Sequence, residues 1–157
     1  MNALDCFLIE YSDSSFTNPH EVAQGITPPD RQGQFTHMGA QYWGFETDRH
    51  IGTETYPTQQ HFRFRPNKGH FLCLGLKTRS VVTQIDIDTR WFTGNHVPEV
   101  TVILEDADDQ VIVLSHQTLR PNEPHHFVIP PTQAERCRVL CHQEGGIARV
   151  ALFGEAL

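Results

Sequence analysis

Lysine is nearly absent: Lys68 and Lys77 are the two examples in 157 residues. The 12 basic residues are outnumbered by 19 acidic ones, for a formal charge of -7. Nucleic-acid binding depends on clustered Lys and Arg to neutralise phosphates, so this composition excludes such a partner. No apolar run approaches the ~20 residues of a membrane-crossing helix, and no membrane association is expected. The Met1–Asp5 start lacks the basic residues and apolar stretch of a secretory signal. The expected compartment is the cytoplasm.

Cysteine is also sparse, and no Cys-x-x-Cys pair exists among Cys6, Cys73, Cys137 and Cys141. A zinc-knuckle site is thereby excluded. Cys137 and Cys141 would stand ~13 Å apart along one strand face, against the ~7 Å limit between Cα atoms in a disulfide. Free, buried thiols are expected. Amphipathic helices are the third absence, since no stretch carries a 3.6-residue apolar stripe longer than two turns. The 131–137 segment offers at most a single helical turn. No internal repeat is visible at the 20–50 residue scale.

What the chain does contain is short strands. Cys6–Ile9, Phe62–Arg65, Phe71–Leu74, Val81–Ile87, Val100–Leu104, Val111–Leu114, Phe127–Ile129, Arg138–Cys141 and Gly146–Phe153 read as β-runs separated by turn residues. Pro130-Pro131 is expected to stop the run that precedes it. Ser12–Gln34, rich in Ser, Pro, Asn and Gly, reads as a long surface connection at about 12–34. The pattern predicts an all-β sandwich or barrel occupying 1–157 as one domain.

The stretch Ile85–His96 carries the most chemistry. Asp86 and Asp88 alternate with Ile85 and Ile87, so both acids face one side of a strand. Gly94-Asn95 is a turn signal, expected to end the strand and gather Asp88, Thr89, Asn95 and His96 at one place. His96 titrates near neutrality and can move a proton. Glu46, Asp48 and Arg49 follow the aromatic pair Tyr42-Trp43. Gly145-Gly146 precedes Arg149, which the alternation places beside Ile147, Ala151 and Phe153. An arginine in that apolar row must be paired or must hold an anion.

Three of these segments resemble signatures of the allantoicase family. Asp88-Thr89-Arg90-Trp91-Phe92-Thr93-Gly94-Asn95 resembles its Asp-Thr-x-x-Phe-x-Gly-Asn. Gly145-Gly146-Ile147-Ala148-Arg149, followed by Phe153-Gly154, is similar to its D-G-G-I-A-R-x-R-x-Y-G, with Glu144 at the acidic position. Gly44-Phe45-Glu46-Thr47-Asp48-Arg49 is similar to its G-W-E-T-R-R, with Asp48 at one Arg position. They occur in the family's order and span most of the chain. His70 also matches a family histidine, whereas Phe71 stands where the family has Asp and Gly75-Leu76 lacks its basic residue.

The resemblance implies a galactose-binding-like jelly roll, a fold that family enzymes carry twice in one chain. It implies hydrolysis of allantoate to ureidoglycolate and urea in purine degradation. Glu46, Asp88 and His96 are then the expected catalytic residues: Asp88 or Glu46 as base for water, and His96 or a protonated carboxyl as acid for departing urea. Arg49 or Arg149 would hold the substrate carboxylate, and Thr89, Asn95, Gly145 and Gly146 would line the site. A divalent metal is compatible with this chemistry and required by no residue pattern. Self-association is expected, with Tyr42, Trp43 or Trp91 as anchors unless those rings pack in the core. The competing expectation is a non-catalytic jelly-roll module binding a carbohydrate or small polar ligand.

Overall fold

Alternation of buried and exposed side chains lays out the strands. In chain order they are β1 (Asn2–Ala3), β2 (Cys6–Tyr11), β3 (Phe35–Thr36), β4 (Gly39–Ala40), β5 (Phe45–Glu46), β6 (His70–Asp88), β7 (Glu99–Asp106), β8 (Asp109–Thr118), β9 (Pro124–Cys141), β10 (Gly146–Ile147) and β11 (Arg149–Ala156). Among the described residues a 3-10 turn, Pro19–Ala23, lies between β2 and β3. The computed structural model describes residues 2–14, 17–31, 33–36, 39–40, 42–48 and 69–157. The strand expected at Phe62–Arg65, and Arg49, lie outside the described residues.

The runs Phe71–Leu74 and Val81–Ile87 belong to one strand, the 19-residue β6. Straight, it would extend ~60 Å, whereas a chain this long has a radius of gyration of about 15 Å. It therefore bends, through the exposed Lys77-Thr78-Arg79 within the register shift between Gly75 and Ser80. Its first half pairs with β2 and with Arg136–Cys141 of β9, and β7 and β8 extend that layer. Its second half pairs with β11 and with Pro124–Ala134 of β9, and β1 closes that edge. The two halves face each other as a jelly-roll sandwich. Leu72, Leu74, Ile85, Ile87, Val102, Val139 and Leu152 form one core between the layers, all fully buried.

Pro130-Pro131 does not stop β9, which runs through both prolines. Val82 pairs with Thr132 and Gln84 with Val128, so Thr83 alone opposes residues 129–131. The prolines sit in this bulge, where no ladder N–H is needed. The same strand occupies 131–137, so no helical turn forms there. Cys137 and Cys141 point inward with the core, and all four cysteines are free. Burial pushes the Cys137 and Cys141 thiols well above the ordinary range, which leaves them unreactive.

The 12–34 segment is more than a surface connection. Ser12, Asp13, Glu21 and Val22 are buried. Val22 plugs the core while Glu21 receives both guanidinium nitrogens of Arg31 at 3.2 and 2.6 Å. Composition alone concealed this, because the buried polar groups find partners far away in sequence.

His125, 3% exposed, ties the turn before β9 to β6 as a neutral ring. Its Nε2 accepts from the Arg120 N–H at 2.8 Å, so Nδ1 carries the proton towards the Ile87 carbonyl at 3.0 Å. Burial pushes its pKa below the ordinary 6.5. The unfolded chain therefore binds a proton first, and stability present above pH ~6.5 is lost as pH falls through that value. Calorimetry should show a melting temperature that declines from pH 7.5 to 5, with a shallower decline in His125→Gln.

Candidate functional site

The strand-end turn forms earlier than Gly94-Asn95. β6 ends at Asp88, and the Phe92 N–H closes onto the Thr89 carbonyl at 3.0 Å, with Trp91 left-handed at φ 73°. Asn122 stabilises that strained residue by accepting from the Trp91 N–H at 2.8 Å. Gly94 adopts no such φ. The signal was displaced because Asn122, 31 residues away, supports the turn that a local glycine was expected to make.

This turn consumes two expected site residues. Thr89 is fully buried; its hydroxyl meets the carbonyls of Arg120 at 2.6 Å and Glu123 at 3.0 Å and accepts from the Glu123 N–H. It anchors the 120–123 turn, with no valence turned outward. Asp88 takes the Arg90 N–H on Oδ1 at 2.8 Å and has the Arg90 guanidinium 3.5 Å from Oδ2. Both oxygens are engaged, which suits a turn cap better than a base.

Glu46, Asn95, His96, Gly145 and Gly146 do come together. β5 pairs with β10, setting Glu46 opposite Gly146. The Gly146 N–H donates to the Asn95 carbonyl at 2.8 Å, and its own carbonyl accepts from Val97 at 3.0 Å. Glu46 is 2% exposed, and Asn95 Nδ2 lies 3.4 Å from its Oε2. Gly145, at φ 149°, lets Thr47 and the His96 backbone approach: a Cβ there would stand 2.5 Å from the His96 carbonyl. Its N–H donates to the Thr47 hydroxyl at 3.0 Å. His96 Nε2 faces the Leu119 carbonyl at 3.1 Å and must carry its proton there. That bond orients the ring and leaves Nδ1 as the nitrogen that can exchange a proton.

A second pair joins His70, the family-like histidine, to Asp13, which the sequence did not mark, and meets this cluster through Asp48. Asp13 accepts the Asp48 N–H at 2.6 Å, bonds the Ser12 hydroxyl, and lies 2.8 Å from His70 Nδ1. Burial alone would raise its pKa, but the bonds from His70, Ser12 and Asp48 outweigh burial and hold the carboxyl below the ordinary range. An ionised Asp13 fixes the proton on His70 Nδ1 and leaves Nε2 as an acceptor. The His70 side chain is 20% exposed, within reach of a small molecule. Asp13 and His70 are 57 residues apart, and nothing in the polar 12–34 composition marks Asp13.

Arg149 does not join the cluster. Ala148 interrupts the alternation, donating to the Asp88 carbonyl at 2.7 Å. Ile147 consequently faces the core with Val150 and Leu152, and Arg149 is not its neighbour on one face. Arg149 opens instead on a depression bordered by Leu4, Cys6, His20 and Lys77.

The model of the allantoicase repeat matches residues 1–157. The chain belongs to the allantoicase family. The allantoicase of Neurospora crassa is 27% identical over 99% of this chain and 45% of its own length. The chain thus spans less than half of that relative. A crystal structure of Saccharomyces cerevisiae allantoicase superposes with a TM-score of 0.69 at 20% identity, covering 95% of this chain and 40% of the enzyme's. CBM32-3 of a Clostridium perfringens family 31 glycoside hydrolase shares the fold at TM-score 0.63 and 11% identity, over 98% and 95% of the two chains. A jelly-roll sandwich is what these structures have in common with the fold described above.

Proposed function

We propose that this allantoicase repeat hydrolyses allantoate to ureidoglycolate and urea in purine breakdown. The observation that carries the reading is the convergence of Glu46, Asn95 and Gly145-Gly146, drawn from three separate family motifs, onto one buried polar cluster. Allantoate carries a carboxylate and two ureido groups on one carbon. Glu46, buried beside Asn95, serves as the carboxylate base for water, with Asn95 holding its geometry. His70, oriented by Asp13, moves the proton to departing urea. Arg49, next to Asp48 in the chain, is the family-motif cation for the substrate carboxylate.

Among the described residues, no group of three His, Cys, Asp or Glu side chains is arranged around a metal position. Urea release from allantoate should therefore be measured with and without added divalent cation. Release under either condition supports the proposal; none under both leaves ligand binding as the function of the fold.

Among the described residues, no helix is long and apolar enough to cross a membrane. The free cysteines support a reducing, cytoplasmic setting. Trp43 is buried, Tyr42 stacks on Phe92 at 4.9 Å, and Trp91 donates its indole N–H to the Pro28 carbonyl, so these rings serve the fold. The exposed apolar row is instead Phe7, Ile9 and Tyr11 on the edge strand β2, each more than 40% exposed. Self-association through that row is expected to appear as a dimer in light scattering at micromolar concentration and to be lost in Ile9→Glu. A monomeric parent protein would refute it.

A further inference from the structure

The arginines among the described residues are nearly all paired with carboxylates. Among the described residues, Arg31 faces Glu21, Arg79 faces Asp106, Arg90 faces Asp88, Arg120 faces Glu123, and Arg136 and Arg138 share Glu105. Arg149 is the exception, with no carboxylate partner. Lys77, the one lysine among the described residues, has none either. These two unpaired cations open on the same depression, of roughly 630 Å³. In a chain with a formal charge of -7, that coincidence calls for a physical account.

The walls of the depression are held by main-chain bonds. The Leu4 N–H donates to the Leu152 carbonyl at 2.8 Å, and the Lys77 N–H to the Asp5 carbonyl at 3.0 Å. The Cys6 thiol reaches the Ala23 carbonyl at 4.0 Å, tying β2 to the 3-10 turn. Asp5 is the one acidic residue in the lining, and His20 the one histidine. Arg149 and Lys77 against Asp5 leave one net positive charge. Leu4, Leu8, Ile26 and Leu152 supply an apolar wall, with the Gln24 amide beside it. Glu46, Asn95, Asp13 and His70 take no part in it.

We propose that this depression is a binding site for a small monocarboxylate with a short apolar stem, separate from the Glu46 cluster. Arg149 is half-buried, where a guanidinium without a counter-ion is costly, and its planar fork matches the two oxygens of a carboxylate. Lys77 at the rim supplies the second charge. Asp5 opposes a dianion, which selects a carboxylate over phosphate. The volume falls within the ~300–1,000 Å³ of small-molecule sites.

Butyrate is the probe, with inorganic phosphate as the competing anion, in nuclear magnetic resonance titrations of the full chain. Butyrate should move the Arg149 Nε–H signal together with the amides of Cys6 and Ile26. Its affinity should fall about tenfold or more in Arg149→Gln, the loss of one charge-assisted bidentate contact. In Lys77→Gln, an exposed change that leaves packing intact, a fall of about threefold is expected. Should Arg149→Gln fail to fold, Lys77→Gln and the titrated signals carry the test. Glu46→Gln should bind butyrate as the parent does, whatever becomes of urea release, which separates this site from the hydrolytic one. No shift of these signals at 50 mM butyrate, on the order of the weakest useful affinity, would overturn the proposal. So would unchanged affinity in Lys77→Gln, loss of binding in Glu46→Gln, or phosphate binding as tightly as butyrate.

Discussion

Replacing Glu46 with Gln is expected to lower the turnover of allantoate by about 10²–10⁴-fold, the usual contribution of a positioned general base. The side chain keeps its shape, and its amide can still meet Asn95, so the change removes basicity more than packing. Glu46 is 2% exposed and sits across from Gly146 in the β5–β10 pair. KM should change little beside kcat, because the lost interaction matters in the transition state. Steady-state urea release, with a melting curve to confirm folding, checks this. Turnover within about threefold of the parent would exclude Glu46 as the base. A companion change, His70→Asn, should reduce turnover and remove an ionisation from its pH profile, since Asn can still bond Asp13 without carrying a proton in exchange.

Gly146→Ala should be strongly damaging. A Cβ there would lie 2.1 Å from the Phe92 ring, which is itself fully buried and stacked on Tyr42. The ring has no free volume to move into, so overpacking of about 3 kcal/mol is expected. For a chain of this size that corresponds to a fall of roughly 6–12 °C in melting temperature. The same shift would part the Gly146–Asn95 bond and loosen Asn95 from Glu46, so activity should fall with stability. Gly94→Ala is the control: nothing lies within 4 Å of its Cβ position and its φ is unexceptional. Differential scanning calorimetry of both variants decides the matter; equal melting temperatures would contradict the packing argument.

Much of the fold was legible locally. A strand's period of two is carried by neighbouring residues, so Ile85/Ile87 against Asp86/Asp88 and Val100/Val102/Leu104 could be assigned faces without knowing their partners. Tertiary pairing decided where strands continued. The prolines at 130–131 read as a stop because a proline lacks an N–H, yet the bulge opposite Thr83 asks for none there. The β6 bend joined two runs that read as separate strands.

The site divides the same way. Motif order brought Glu46, Asn95 and Gly145-Gly146 together correctly, because each is fixed within its own short segment and the sheet register joins the segments. Thr89 and Asp88 carry the right chemistry in the right motif, but their hydrogen bonds are taken up by the main chain around them, which only the three-dimensional neighbourhood reveals. Arg149 keeps Ala151 and Phe153 on its face as the alternation predicts, but Ile147 falls on the other side because Ala148 steps out of the strand pattern. Asp13 and His70 are paired solely by folding. The sequence by itself determined composition, strand periodicity and family. The tertiary structure alone decided which polar groups satisfy one another, since hydrogen-bond partners are chosen by distance in space and not along the chain.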